Sequence, residues 1–225
     1  MPGIKLVVFD MDGTITRERS SWEYLHRRLG IWEGQAEKYQ EQFLAGEISY
    51  EEFCRLDAAM WRGLPLQRVE ALLSEIPLRR KAAEVVAAVR QLGAKPVLLS
   101  TGLQLLADRL AGSLGFWYAL ANELVHHSGI LTGQVVVHVC TQDPHKTKGA
   151  HLRRLMDRVG ASPAETVTVG DSDGDLEMFR EAGLAVAVDP AAGSLPVLRE
   201  QVPRLVTVRH LAQVIPMLYD LKGEK

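Results

Sequence analysis

The chain is short of several things that would place it in a special class. It has two cysteines in 225 residues, Cys54 and Cys140, and neither sits in a CxxC pair. That excludes a disulfide framework and fits a reducing, cytoplasmic setting. Positive charge is not in excess: 26 Lys and Arg face 28 Asp and Glu, a net charge of -2. No basic field is on offer to hold nucleic acid, and no basic helix face suggests a membrane surface. Long apolar runs are missing too. The opening stretch Ile4 to Phe9 is far too short to span a bilayer, and no cleavable signal is expected before it. There is no internal repeat and no low-complexity tract. What remains is 47% hydrophobic and 24% charged residues. These are globular proportions, enough for one large domain or a main domain carrying a smaller insertion.

The first segment, Ile4-Lys5-Leu6-Val7-Val8-Phe9, is a buried strand that stops at Asp10. From about Ser20 to Leu73 the spacing is helical, with Trp22, Leu25, His26 and Leu29 on one stripe. Ser49 with Glu52 three residues on reads as a capping box, opening a helix to about Trp61 that Gly63 and Pro65 end. No strand is expected across this stretch. From Arg79 onward helices and strands alternate: a helix at Ala82 to Leu92, a short strand at Pro96 to Leu99, and a helix at Leu103 to Leu114. A hairpin follows over Leu124 to Val139, with Ser128-Gly129 and Thr132-Gly133 as turn residues. Next come a helix at Lys148 to Val159, a strand at Thr166 to Val169, a helix at Leu176 to Ala182, and a strand at Leu184 to Val188. A last strand, Leu205 to Val208, and a helix, His210 to Leu221, finish the pattern. This implies an α/β fold, a Rossmann-like doubly wound parallel sheet. The expected core is residues 1–15 and 79–225, with an inserted helical cap domain at 16–78.

In such a sheet, ligands bind beyond the carboxyl ends of the strands. Three expected strands end in reactive groups: Asp10-Met11-Asp12-Gly13-Thr14, Ser100-Thr101-Gly102, and Gly170-Asp171 through Asp175. Asp10 and Asp12, two apart in extended chain, place both carboxylates on one side. Asp171 adds a third from another strand. Carboxylates without accompanying His or Cys suit Mg²⁺ better than zinc. Lys146 or Lys148 is available to neutralise a phosphate, and Ser100 with nearby backbone N–H groups to hold its oxygens. His126, His127, His138 and His145 surround the hairpin, but their spacing matches no common zinc pattern. Trp22, Trp32, Tyr39, Phe43 and Phe53 read as packing residues of the helical insertion, with Trp22 and Trp61 as the aromatic residues that could face a substrate.

This constellation resembles the haloacid dehalogenase superfamily, in its phosphoserine-phosphatase-like branch. The resemblance rests on Asp10-Met11-Asp12-Gly13-Thr14, Leu98-Leu99-Ser100-Thr101-Gly102, Lys148-Gly149, and Val169-Gly170-Asp171 through Asp175, and it covers nearly the whole chain. It implies a phosphatase acting on a small phosphorylated metabolite. Asp10 would attack phosphorus and become an aspartyl phosphate. Asp12 would protonate the leaving alcohol and then activate water. Mg²⁺ would be held by Asp10, the backbone carbonyl of Asp12, and Asp171, with Asp175 in support directly or through water. Ser100, Thr101 and Gly102 would bind the phosphoryl group, with Lys148 as the cationic residue and Lys146 as its alternative. Asp173 is left as a helix-start charge.

Two rivals share these residues: a phosphotransferase or phosphomutase using the same intermediate, and a binding protein on an inactive phosphatase fold. The full set of Asp10, Asp12, Ser100, lysine and Asp171 argues against the second. Substrate recognition departs from the branch. Where phosphoserine phosphatases hold the substrate amine with an acidic residue nine positions after the nucleophile, this chain has Arg19, with Glu18 beside it. Counting along the cap assigns Asp57 to the place of the arginine that holds the substrate carboxylate, with Arg55 two earlier. Gly174 stands where the branch carries Asn. The expectation is that both substrate-binding charges, Arg19 and Asp57, are reversed.

Overall fold

The computed structural model describes residues 3–202 and 204–223. Strand β1 (Leu6–Phe9) lies in the middle of a seven-stranded sheet. On one side it pairs in parallel with β2 (Lys95–Leu103), and β2 with β3 (Tyr118–His127). On the other side come β5 (Thr166–Gly170), β6 (Leu184–Val188) and β7 (Leu205–Val208), all parallel. Strand β4 (Ile130–Val136) closes one edge, antiparallel to β3.

The strands read as near-continuous apolar runs because helices cover both faces. Val7, Phe9 and Leu98 pack with Val85 and Val86 of α5 (Ala82–Gln91) and Leu106 and Leu110 of α6 (Gln104–Leu114). Leu218 of α10 (Val214–Gly223) joins them. Leu6, Val8 and Leu99 point the other way. They meet Leu152, Leu155 and Met156 of α7 (Lys148–Val159), Phe179 of α8 (Leu176–Glu181) and Leu198 of α9 (Ser194–Gln201).

Several expected elements shift. Strand β2 runs on to Leu103, so Ser100-Thr101-Gly102 lie on the strand, where its register with β3 slips between Leu99 and Leu103. Strand β3 starts at Tyr118, six residues before the expected hairpin. The hairpin turns at Ser128-Gly129, both at positive φ, whereas Thr132-Gly133 fall inside β4. Helix α9 carries Pro196 within its first turn, where the missing N–H costs nothing, and its short apolar stripe gives little periodic signal.

Between β1 and α5 the regular elements are helices: α1 (Ser21–Leu29), α2 (Glu37–Leu44), α3 (Tyr50–Met60) and α4 (Leu66–Ser74). Ser49 caps α3 by accepting from Glu52 N at 3.1 Å, but the Glu52 carboxylate turns to Arg55, so half of the expected capping box forms. The two chain segments entering and leaving this helical stretch run side by side. Thr16 bridges Leu78, Arg17 N–H donates to Pro77 O and Arg79 N–H to Ile15 O, both at 2.8 Å. The β3–β4 hairpin docks on the segment before α4: Gly63 N–H reaches Leu131 O, and Leu131 N–H reaches Leu64 O, both at 2.9 Å.

Inside the helical stretch, Asp57 lies buried against His26, with Oδ1 3.3 Å from Nε2 and poorly aligned for a hydrogen bond. Trp61 Nε1 donates to His26 Nδ1 at 3.3 Å, and Trp61 stacks on Trp22 with ring centroids 5.3 Å apart. Burial pushes the Asp57 pKa above the usual carboxylate range, against the neighbouring imidazole. Asp57 is therefore an interior packing group. His26→Ala should destabilise the fold by about 3–5 kcal/mol, because it strands a buried carboxylate. Asp57→Asn leaves no buried charge behind and should cost roughly 1 kcal/mol. Urea unfolding midpoints of the two variants check the order; equal losses would contradict it.

Candidate active site

The chain crosses to β2 on one side of β1 and to β5 on the other, so the carboxyl ends of these three adjacent strands open a crevice. Asp10 follows β1, with its N–H bonded to Val169 O at 2.8 Å. The chain then turns back: Thr16 N–H donates to Met11 O at 3.0 Å, and Gly13 N–H to Glu18 O at 2.6 Å. Gly13 has φ 78°, and a Cβ there would collide with the Asp171 carboxylate. Gly102 is required on the facing strand, where a Cβ would press on Asp12 Oδ2 and Ser21 Oγ. Both glycines let carboxylates approach backbone.

Asp12 is buried. Its Oδ2 accepts from Ser21 N at 2.9 Å and Ser21 Oγ at 2.7 Å, while Oδ1 has no partner. Burial raises the Asp12 pKa against those two bonds, which suits a group that alternates between acid and base. Lys148, the first residue of α7, is 4% exposed, and its Nζ lies 2.6 Å from both Asp10 Oδ1 and Asp175 Oδ1. Asp175 Oδ2 accepts from Asp171 N at 2.9 Å and Ser172 N at 3.1 Å, so Asp175 fixes both the loop after β5 and the lysine. Lys146 instead pairs with Glu51 of α3 at 2.5 Å, outside the crevice.

Among the described residues, Asp10, Asp171 and Asp175 form the one acidic group whose oxygens lie within 4.8 Å of one another. Burial pushes Asp10 up to about 7, with Lys148 opposing and Asp175 adding. Burial, with Asp10 and Asp175 beside it, pushes Asp171 up to about 8. For Lys148, burial pulls the pKa down, but Asp10 and Asp175 outweigh it and hold the ammonium form. Three buried carboxylates and one lysine leave unbalanced negative charge. An all-oxygen donor set with that imbalance fits a hard divalent cation. Arg19 supplies part of the balance, since Nη1 pairs with Asp171 Oδ2 and Nη2 donates to Asp189 O at 2.9 Å.

These groups floor a cavity of about 550 Å³. The helical stretch supplies its far wall: Trp22, Phe43, Tyr50 and Phe53, with Arg19 and Gln40 at the rim. One carbonyl ties the two sides together. Thr101 O accepts from Tyr50 Oη at 2.7 Å, Asn122 Nδ2 at 2.9 Å and Trp22 Nε1 at 3.1 Å.

Of the expected residues, Asp10, Asp12, Arg19, Thr101, Gly102, Lys148 and Asp171 line this cavity. Ser100 lies just behind, with Oγ accepting from Gly102 N at 3.0 Å; the cap of α6 is Leu103, so neither Ser100 nor Thr101 serves that helix. Asp173 also lines the cavity, with Oδ1 held by Ser194 Oγ at 2.9 Å. Asp57 does not reach it and is corrected from substrate ligand to interior partner of His26. Trp61 is fully buried behind Trp22, whereas Phe43 and Phe53, expected as packing residues, face the cavity. Tyr50, Ser21 and Asn122 were not expected. For Tyr50 a signal existed: Phe53 follows three residues on, on the same helix face.

The profile of the haloacid dehalogenase-like hydrolases matches residues 7–180. A phosphoserine phosphatase of Streptococcus thermophilus is 30% identical over 216 residues, covering 96% of each chain. That of Methanocaldococcus jannaschii is 28% identical over 211 residues, covering 94% of this chain and 96% of its own. Other relatives are longer: the chain spans about half of the Archaeoglobus fulgidus phosphoserine phosphatase, at 32% identity (52% of that protein). A solved phosphoserine phosphatase carrying a phospho-aspartyl intermediate analogue superposes with TM-score 0.79 at 26% identity, over 96% of this chain and 99% of that one. The chain belongs to the haloacid dehalogenase-like hydrolases, in their phosphoserine-phosphatase-like branch, and is a hydrolase of phosphoric monoesters.

Proposed function

We propose that this enzyme hydrolyses a small phosphorylated metabolite through an aspartyl phosphate on Asp10, with Mg²⁺ as cofactor. The observation that carries the reading is Asp10 held by Lys148 among buried carboxylates at the floor of an aromatic-walled cavity. An Asp10 oxygen attacks phosphorus, the bond to the alcohol oxygen breaks, and Asp12 gives that oxygen a proton. Asp12 then takes a proton from water, whose oxygen attacks phosphorus and frees Asp10 and phosphate. The partnerless Oδ1 and raised pKa of Asp12 support this double role. Lys148 holds Asp10 in place and offers charge to the phosphoryl oxygens, and Ser100 to Gly102 receive the phosphoryl group at the carboxyl end of β2. Asp10, the Asp12 carbonyl and Asp171 would hold Mg²⁺, with Asp175 behind them. When bound, the ion supplies the positive charge that lets a phosphate dianion approach these carboxylates.

Residues 16–78 act as a cap over the core of 1–15 and 79–225. The paired linkers at Thr16 and Leu78 suit a hinge, and the bonds from Trp22 and Tyr50 to Thr101 O suit a closed state that excludes water. The cap wall carries no carboxylate, so a substrate ammonium has no anionic partner there. Arg19 and the aromatic wall favour a phosphorylated sugar or sugar acid. That keeps the reversed charge at Arg19 as the source of selectivity, without Asp57.

Asp10→Asn should lower turnover of a generic aryl phosphate by about a thousandfold or more with the fold intact. Near-wild-type turnover in the folded variant would falsify the covalent route, and product analysis with added alcohols separates hydrolysis from phosphotransfer. EDTA should abolish activity and Mg²⁺ restore it, with Asp171→Ala needing more metal; full activity after rigorous chelation contradicts the metal assignment. L-Phosphoserine should give a specificity constant on the order of a hundred- to a thousandfold below the best sugar phosphate or phosphoglycerate, because the cap wall offers its ammonium Arg19 and no carboxylate. A steady-state panel led by phosphoserine would overturn this selectivity.

A further inference from the structure

A second open cavity, of about 610 Å³, lies where the two linkers of the cap run side by side. Its size is ordinary for a small-ligand site. Arg17, Arg79, Arg80 and Lys81 line it, with His210 and Leu211 from the segment after β7. The chain as a whole carries a net charge of -2, so this concentration of cations is local. Two of the four are balanced: Arg79 Nη1 lies 3.2 Å from Asp189 Oδ2, and Lys81 Nζ 2.8 Å from Glu84 Oε1. Arg17 and Arg80 form no ion pair among the described residues. They are not on loose tails. The antiparallel bonds Arg17 N–H to Pro77 O and Arg79 N–H to Ile15 O fix the backbones that bear these cations beside each other. Lys81 is also the N-cap of α5, so the positive end of that helix adds to the field.

Like charges fixed side by side in a concave site set up a positive potential that attracts anions. We propose that this hinge cavity binds a small, multiply charged phosphate anion of the pyrophosphate or nucleoside-polyphosphate kind. Two uncompensated arginines call for an occupant with two or more negative charges. Guanidinium groups match phosphate oxygens in paired hydrogen bonds, which favours phosphate over a simple carboxylate. The site is separate from the catalytic crevice, and the proposal does not rest on the chemistry proposed there.

The test titrates the full chain with inorganic pyrophosphate by calorimetry, first with Mg²⁺ and then with EDTA. Without metal the catalytic crevice presents Asp10, Asp12, Asp171 and Asp175 and repels the anion, whereas the hinge cavity needs no metal. Saturable binding in EDTA, weakened tenfold or more in Arg17→Ala/Arg80→Ala protein of unchanged fold and unchanged aryl-phosphate turnover, supports the site. Both residues are exposed, so the double variant should fold. Binding that vanishes with EDTA, or that the double variant leaves unaltered, overturns it. Parallel titrations with ADP and with orthophosphate separate the sources: tighter ADP binding selects a nucleotide, tighter pyrophosphate binding an inorganic polyanion, and orthophosphate binding as tightly as either overturns the requirement for several charges.

Discussion

The arrangement of this molecule follows from bringing mutually repelling carboxylates together at the carboxyl edge of one sheet. At an effective dielectric of about 20, two unit charges 4 Å apart interact by about 4 kcal/mol. Asp10, Asp171 and Asp175 lie within 4.8 Å of one another, and burial, with the neighbouring carboxylates adding to it, raises the pKa values of Asp10 and Asp171. Lys148 offsets part of this rise only because α7 begins where its first residue meets both Asp10 and Asp175. Asp175 relieves its own charge on the N–H groups of Asp171 and Ser172, which in turn shapes the loop after β5. Gly13 and Gly102 are consequences of the same crowding, since a methyl at either place would displace a carboxylate.

The second constraint is a single carbonyl. Thr101 O accepts from two residues of the helical stretch and from Asn122 of β3. Asn122 is itself fixed, because its Oδ1 accepts from His138 N and Val139 N, both at 2.9 Å. A carbonyl oxygen with two lone pairs shared by three donors is held firmly in direction. The strand end beside Asp10 thus takes its orientation partly from α1 and α3. The stack of Trp22 on Trp61, and the tilted contact of Trp61 with His26 at 4.7 Å between ring centroids, carry this order back into the interior of the helical stretch.

Most of the fold was legible because its strands are apolar runs punctuated by chemistry. Asp10, Ser100 and Asp171 sit where apolar runs of the sequence end, and the alternation with helices implies a parallel sheet with those ends side by side. The residues alone left Lys146 and Lys148 open, and only the family resemblance favoured Lys148; in the structure Lys148 meets Asp10 while Lys146 pairs with Glu51. What failed was distance along a helix. Asp57 shares the face of Tyr50 and Phe53 on α3, so its phase is right for the cavity. At about 1.5 Å rise per residue it lies roughly 10 Å farther along the axis than Tyr50, opposite His26 of α1. Ser21 and Asn122 left no trace, because a hydroxyl after a helix cap and an amide inside a strand are common in any sequence. Their meaning arises from contacts far apart in the chain.

Asp189 joins the two basic and acidic regions that sequence spacing keeps apart. It is a non-glycine residue at φ 48°, anchored by its N–H to Val208 O at 2.7 Å. Its backbone oxygen holds Arg19, which reaches Asp171 in the catalytic crevice. Its carboxylate holds Arg79, whose Nε donates to Gly13 O at 2.5 Å and whose side chain lines the hinge cavity. Arg19, Asp189, Arg79 and Gly13 therefore close a circuit around Asp171. Arg19 and Arg79 share Asp189 as a partner, but Asp189 is exposed, so solvent screens the charge of one arginine from the other and the two cavities stay separate. The left-handed backbone at Asp189 is the geometry that lets one residue present its carbonyl to one arginine and its carboxylate to the other.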